Sequence, residues 1–147
     1  MYLLKVRLDR NPGKFHDKVN RLMDEVMNLR GPVLNATSAD WVPEADLYET
    51  AEEIVLLVNL AGVRKEDIEV TFFENYLRVA GTRALCGSDS PARYHRLEMG
   101  HGSFERVFRV PAWVDGDRIE AAFSEGLLTV RMKKGPMPQP RFIEVDQ

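Results

Sequence analysis

Three histidines and one cysteine are the side chains in this sequence whose types best suit metal binding or nucleophilic catalysis. They are His16, His95, His101 and Cys86. No two of the histidines stand at the spacing of paired metal ligands. A single cysteine forms neither an intrachain disulfide nor a zinc cage by itself, and the polar surroundings of this one contain no activating neighbour. The sequence therefore predicts a reduced thiol in a loop and no metal site.

The glycine-rich and acidic segments do not indicate a catalytic site either. Gly100-His101-Gly102 lacks the third glycine and the strand-to-helix context of a dinucleotide-binding loop, and the sequence contains no Walker-type glycine-lysine run. The carboxylates between Glu49 and Glu53 are more typical of a solvated turn than of a paired acid and base. We therefore predict that the protein is not an enzyme and needs no cofactor.

The length of 147 residues allows one ordinary domain with extensions. The contents of 44% hydrophobic and 29% charged residues argue against wholesale disorder, and the net charge of −3 gives no general attraction to nucleic acid. The first ten residues are interrupted by charges, unlike a signal peptide, and no apolar stretch is long enough to span a membrane. We predict a soluble, cytoplasmic protein with no nucleic-acid partner and no membrane span.

Residues 14–30 have the periodicity of an amphipathic helix, with turn residues before them at 11–13 and after them at 31–32. The apolar stripe of this helix could pack on the protein's own core, or on a sister subunit or a client protein. Its isolation in an otherwise β-rich chain favours the second interpretation. The stripe consists of Phe15, Val19, Leu22, Met23, Val26 and Leu29.

From residue 45 onward the chain has the short strands and regular turns of a β-sandwich. The clearest signal is a hairpin over residues 119–132 with a two-residue turn at 125–126, because this register places apolar pairs on one face and a charge pair on the other. A shift by one residue would destroy both agreements. The predicted cross-strand pairs are Phe123–Leu128, Ala121–Val130 and Glu120–Arg131.

The other strands are predicted from alternation and from apolar runs. Residues 54–60 form a continuous apolar run, which is typical of a strand that is buried on both faces. Further strands are predicted at residues 45–50, 68–73, 77–80, 93–98 and 104–110, with a helical turn at 64–67 and a long loop at 81–92.

The tail begins with three prolines within residues 136–140, which predicts an extended spacer. Ile143 and Val145 follow it. Burying two such side chains gains about 3–6 kcal/mol, whereas ordering each residue costs about 1–2 kcal/mol. One tail would therefore bind weakly, but many tails in a closed assembly would bind well. The tail is therefore either a tethered binding segment of this kind or a frayed terminus.

Four motifs between residues 41 and 134 occur in a specific order and spacing. They are Pro43, Asp46, Tyr48 and Glu49; Ala61-Gly62-Val63 followed by residues 67–70; Gly102, Phe104 and Arg106 followed by Val110-Pro111; and Ala121, Gly126 and Leu128. With the tail, they resemble the small heat-shock protein (alpha-crystallin) family, and the long segment at residues 81–103 that carries residues 93–97 resembles the non-animal type of that family. Ala61 stands in place of the usual proline and Glu125 in place of the frequent asparagine, and both departures should loosen turns locally.

The resemblance implies an all-β, immunoglobulin-like antiparallel β-sandwich, the alpha-crystallin domain, over residues 42–134. It would follow an N-terminal arm with the amphipathic helix at residues 1–41 and precede an extended C-terminal tail at 135–147. The implied function is that of an ATP-independent holdase, which binds partly unfolded clients and prevents their aggregation as an oligomer of dimers. The alternative is a co-chaperone-type sandwich that docks on a larger chaperone as a monomer.

The resemblance also implies which residues act. A strand at 93–97 would pair with residues 46–49 of a partner, and the tail would enter a groove on another dimer, while the helix stripe binds clients. The implied dimer interface contains Asp46, Tyr48, Arg93, Tyr94, His95, Arg96, Leu97, Glu98 and Arg106. The implied anchor is Ile143 and Val145, and its groove is lined by Ile68, Val70, Phe72, Ile119, Ala121 and Phe123.

Overall fold

The structure is a computed structural model that describes residues 1–8, 39–85, 87, 91–110 and 113–136. The predicted helix over residues 14–30, Cys86, and the predicted anchor at Ile143 and Val145 lie outside the described residues. Within the described ranges, no helix combines the length and the hydropathy needed to cross a lipid bilayer.

Nearly all regular structure in the described residues is β-strand. A single 3-10 turn at Lys65–Asp67 confirms the predicted helical turn. The strands are β1 (Tyr2–Leu4), β2 (Val6–Leu8), β3 (Ala45–Glu49), β4 (Glu53–Asn59), β5 (Ile68–Phe73), β6 (Tyr76–Arg83), β7 (Gly102–Arg109), β8 (Val114–Ser124) and β9 (Leu127–Lys134).

The strands form two sheets that pack face to face. The five-stranded sheet has the order β1-β8-β9-β4-β3, and the four-stranded sheet has the order β2-β5-β6-β7. Neighbouring strands are antiparallel except for β2, which runs parallel to β5. The predicted all-β sandwich is confirmed, and the parallel pair is an addition that the sequence analysis did not predict.

Apolar side chains from both sheets meet in one core. Leu56 of β4, Leu128 of β9 and Leu77 of β6 are completely buried in it. Because successive side chains of a strand point to opposite faces, Val55 lies on the other face of β4, where it is also fully buried. The prediction of burial on both faces is therefore confirmed at the centre of β4, whereas on this second face Leu57 is half-buried and Asn59 is exposed.

The hairpin formed by β8 and β9 has the predicted register throughout. Phe123 pairs with Leu128, Ala121 with Val130, and Glu120 with Arg131. Glu125 and Gly126 both have a positive φ, 52° and 80°, as a tight two-residue hairpin turn requires.

Three differences from the predicted strands have the same physical cause. β6 continues to Arg83 rather than ending at Ala80, because β7 pairs with it as far as Gly102. β8 begins at Val114, before the predicted hairpin, because it pairs with the end of β9 across a β-bulge. Residues 93–98 contain no strand in this single chain. A strand persists only where a neighbour supplies its hydrogen bonds, which local alternation does not report.

Candidate functional site

The six residues predicted to line a groove lie together where β5 and β8 run along the same side of the sandwich. Val70, Phe72, Ala121 and Phe123 are buried members of the core, and Ile68 and Ile119 are half-buried against it. We call this strip, lined by those six residues, the edge groove. The structure brings these residues together, while their role in accepting the tail anchor stays a prediction.

The edge groove contains the first residues of the same chain. β1 pairs with β8, with Leu4 opposite Ala121, and β2 pairs with β5, with Val6 opposite Val70. Leu4 and Val6 pack against the core, and Lys5 between them is exposed. The chain therefore crosses from one sheet to the other within residues 2–8.

Sequence analysis missed this segment, although a weak signal was present. Leu4-Lys5-Val6-Arg7-Leu8 alternates apolar and charged residues with the period of a half-buried strand. We used these charges only to exclude a signal peptide.

Charged side chains lie along the rim of the edge groove. Glu69 of β5 binds Arg7 at 3.2 Å and Arg78 at 3.5 Å. The ammonium group of Lys65 lies 5.0 Å from the centre of the Tyr2 ring. The rim thus holds the cationic N-terminal segment through one carboxylate and one cation–π contact.

The opposite side of the five-stranded sheet ends in β3, which carries the predicted interface residues Asp46 and Tyr48. Among the described strands, β3 pairs with β4 and leaves its other edge open. Leu47 and Tyr48 are 44% and 45% exposed there. An open edge with exposed apolar side chains is a template for pairing with another chain.

Residues 93–98 and their flanks carry a second group of exposed apolar side chains. Tyr94, Leu97, Met99 and Leu85 are all exposed, with Leu97 at 53%. These residues belong to the connection between β6 and β7, residues 84–101, which we call the excursion. A shallow pocket between its two ends is lined by Arg83, Tyr94 and Leu97, among others. The segment at residues 93–97, which is predicted to pair with a partner chain, therefore lies on the surface and does not pair with β3 of its own chain.

Two charged residues of the predicted dimer interface, Arg106 and Glu98, have partners within the chain. Arg106 is half-buried, donates a hydrogen bond of 2.6 Å to the carbonyl oxygen of Pro43, and lies over the ring of Phe108. Glu98 is exposed and lies 3.6 Å from Arg96. Arg106 thus fixes the segment that leads into β3. The remaining residues of the predicted interface, Arg93 and His95, are exposed.

A cluster that the sequence analysis did not single out joins the start of the domain to the start of β7. Asp40 accepts hydrogen bonds from the backbone nitrogen and the hydroxyl of Ser103, at 2.7 and 2.9 Å. These bonds lower the pKa of the Asp40 carboxyl below its usual value of 3.8. The positive φ of Gly102 and the absence of a Cβ there leave room for the Asp40 carboxylate.

Trp41 is the centre of this cluster. Its Nε1 donates a hydrogen bond of 3.0 Å to the carbonyl oxygen of Gly102, and its ring packs edge-on against Phe104. The guanidinium group of Arg83 stacks 3.7 Å above the Trp41 ring and also donates a hydrogen bond to Gly100. Both ends of the excursion, 84–101, are thereby fastened to Trp41, directly before the predicted domain.

In the part of the chain that the structure describes, no group of three His, Cys, Asp or Glu side chains is placed to hold a metal ion. The arrangement instead offers two surfaces for polypeptide: the edge groove, and the β3 edge with the exposed excursion.

Comparisons with known proteins agree with this architecture. The sequence profile of the Hsp20/alpha crystallin family matches residues 46–146. The chain is 36% identical over 105 residues to the spore protein SP21 of Stigmatella aurantiaca, covering 71% of this chain and 62% of that protein. It is 32% identical over 122 residues to heat shock protein 16 of Schizosaccharomyces pombe, covering 82% and 85%.

A solved structure shows the same fold. The small heat-shock protein from Xylella fastidiosa has a TM-score of 0.62 and 35% sequence identity, covering 74% of this chain and all of that one. The profile match covers strands β4 to β9, nearly all of β3, and the residues predicted to form both surfaces, whereas β1 and β2 lie outside it. Membership supports a chaperone role in the stress response rather than an enzymatic one. The chain therefore belongs to the Hsp20/alpha crystallin family, the small heat-shock proteins.

Proposed function

We propose that the protein is an ATP-independent holdase that works as an oligomer of dimers. The observation that carries this proposal is the edge groove, which holds an extended segment through two apolar side chains placed two residues apart, Leu4 and Val6. Ile143 and Val145 have the same spacing. This supports entry of the tail of a neighbouring dimer into the same groove, by edge pairing with side-chain pockets.

The dimer would form by exchange of the segment at 93–97. The open edge of β3 offers unpaired backbone groups, and Tyr94 and Leu97 are exposed in a segment that lacks a strand partner in the single chain. Pairing these two elements between chains would give residues 93–97 the backbone hydrogen bonds of a strand, and it would cover Leu47 and Tyr48.

Clients would bind the apolar stripe of the helix predicted at residues 14–30, together with apolar surface that becomes free when the assembly loosens. Capture of a non-native state requires no nucleotide, because it acts by mass action on the unfolded population. The predicted cytoplasmic location stays a prediction.

A turbidity assay without nucleotide tests the holdase activity. We expect the protein to suppress light scattering of a model client that is heated or reduced, at about one chain per client chain, and to do so equally with and without ATP. A variant in which Leu22 and Val26 are both changed to Ser should protect less well, because it interrupts the proposed client stripe. Changing the neighbouring polar residues Arg21 and Asn28 to Ser is the matched control. Strict dependence on ATP would contradict the holdase proposal.

A further inference from the structure

The N-terminal segment occupies the groove in the way that the proposed function assigns to the tail. Its strands use the free edges of both sheets, since residues 2–4 pair with β8 and residues 6–8 pair with β5. One edge of a strand forms a ladder with one neighbour at a time. A tail therefore cannot pair with these edges while residues 2–8 remain in place.

The side chains of the segment divide into two sets. Leu4 and Val6 point into the groove and are half-buried against the core, whereas Leu3 and Lys5 point outward, with Leu3 71% exposed. The buried pair has the same two-residue spacing as Ile143 and Val145. The chain thus contains two segments, one at each end, that present the same apolar pattern to one groove.

We propose that residues 2–8 are a displaceable plug that competes with the tail anchor for the edge groove, so that assembly through the tails requires release of the N-terminus. This inference rests on the proposed role of Ile143 and Val145. The groove is then regulated from within the chain, and the N-terminus leaves when the tail binds.

The two segments differ in charge, and the groove discriminates between these charges. The plug carries Lys5 and Arg7 beside its apolar residues, whereas the tail carries Glu144 and Asp146. Arg7 forms an ion pair with Glu69 on the rim. The tail carries carboxylates beside its apolar pair, so it lacks this attraction. Glu69 therefore favours the plug over the tail.

The plug is held by features that permit release. Each of its strands is three residues long, Leu4 and Val6 remain partly exposed, and the ion pair between Arg7 and Glu69 is on the surface. Exposed ion pairs contribute little and weaken with salt. The plug competes well because it is tethered to the groove by its own chain, which gives it a high effective concentration.

A peptide-binding experiment tests the competition. The probe is a fluorescein-labelled peptide with the sequence of residues 138–147, and fluorescence anisotropy measures its binding. The protein is the full chain with its own anchor disabled by Ile143→Asp and Val145→Asp. Adding Leu4→Asp should tighten peptide binding about tenfold, because it removes the competitor that keeps the groove occupied. Leu3→Asp introduces the same charge one residue away, on the exposed face, and should leave the affinity unchanged.

A reversible lock provides a second, independent measurement. Leu3 lies directly opposite Ala122 in the antiparallel ladder, and the Cα separations typical of such opposite residues fall within the range that a disulfide spans. In the same anchor-disabled chain with Cys86→Ser, the pair Leu3→Cys and Ala122→Cys should close the groove when oxidised. We expect the oxidised form to lose peptide binding and the reduced form to regain it.

The outcomes separate the plug from the anchor. Equal peptide affinity in the oxidised and reduced forms, or in Leu4→Asp and its parent, would overturn the plug while leaving the anchor groove intact. Absence of peptide binding in every form, including Leu4→Asp, would overturn the anchor groove itself and with it the competition.

Discussion

At the scale of single residues, the turn of the β8–β9 hairpin shows how local chemistry sets register. Gly126 has a φ of 80°, and a Cβ at this position would come within 2.8 Å of the Ala61 Cα atom. The backbone nitrogen of Leu60 also donates a hydrogen bond to the carbonyl oxygen of Gly126. Glycine is therefore required here both by its backbone conformation and by the turn packed against it.

The first prediction concerns this turn. Gly126→Ala should lower the free energy of unfolding by about 2 kcal/mol, because it adds a strained φ and a steric contact with Ala61. Glu125→Asn should raise it by about 0.5 kcal/mol, since asparagine tolerates a positive φ better than glutamate does. Urea unfolding at one fixed protein concentration measures both changes. A stable Gly126→Ala variant would contradict the assigned turn geometry.

A second prediction concerns the pH dependence of the Asp40–Ser103 contact. The pKa of Asp40 is lowered in the folded chain, so its hydrogen bonds stabilise the fold above the unfolded value near 3.8 and are lost as the pH falls through the lower folded pKa. The melting temperature of the wild type should therefore exceed that of Asp40→Asn at pH 7, and the difference should shrink below pH 3.8.

Thermal melts from pH 7 to pH 2 measure this difference. Ser103→Ala is the partner control, because it removes one donor and leaves the backbone donor in place. It should lower the melting temperature less than Asp40→Asn does. A difference between wild type and Asp40→Asn that stays constant down to pH 2 would contradict the contribution of the ionised carboxylate.

At the scale of elements, the two open features of the sandwich differ in how they are completed. The edge groove is closed by β1 and β2 of the same chain, whereas the β3 edge and the excursion stay open in the single chain. Trp41 and Arg83 hold the two ends of the excursion at the domain surface. The two ends of the excursion are therefore held in place while Tyr94 and Leu97 within it are exposed, which suits exchange between two chains.

The third prediction tests this exchange. Leu97→Asp should weaken dimerisation tenfold or more, because it places a charge on a side chain that pairing with β3 would cover. Leu127→Asp is the matched control, since Leu127 has a similar exposure of 47% but lies on the β8–β9 hairpin. Sedimentation velocity over a dilution series measures both. Equal dimer affinities for the two variants would contradict the proposed interface.

At the level of the whole molecule, the proposed assembly would depend on the tail and on what the tail displaces. Each tail offers a small apolar contact, so a large oligomer is stable only when several tails bind within one closed particle. Because residues 2–8 occupy the groove that we propose for the tail, the two ends of the chain would set the balance between dimers and larger assemblies.

The fourth prediction follows at this scale. Ile143→Ser combined with Val145→Ser should reduce the assembly to dimers, because it removes both anchor side chains. Glu144→Ser combined with Asp146→Ser should not, because these side chains alternate with the anchor residues and would point away from the groove in an extended tail. Size-exclusion chromatography with light scattering measures the particle mass. A monomer in the wild type would favour the co-chaperone alternative, and an unchanged large particle in the first variant would contradict the anchor.

Features that depend only on neighbouring residues could be predicted from the amino-acid sequence alone. Alternation with period two and the Glu125-Gly126 turn predicted the hairpin and its register, and the apolar run predicted the burial of β4 on both faces. These signals are local, because side-chain alternation and turn conformation are properties of a few consecutive residues. The six groove residues were placed through the family resemblance, and the structure brings them together.

Contacts between distant parts of the chain could be seen only in the folded protein. The Asp40–Ser103 hydrogen bonds join residues 63 positions apart, and Leu4 lies opposite Ala121 across most of the chain. Neither Asp40 nor Leu4 has a local pattern that identifies its partner, because closing such long loops depends on the whole fold. For the same reason the sequence could predict an anchor for the edge groove at the C-terminus, but only the folded chain showed the N-terminus already bound there.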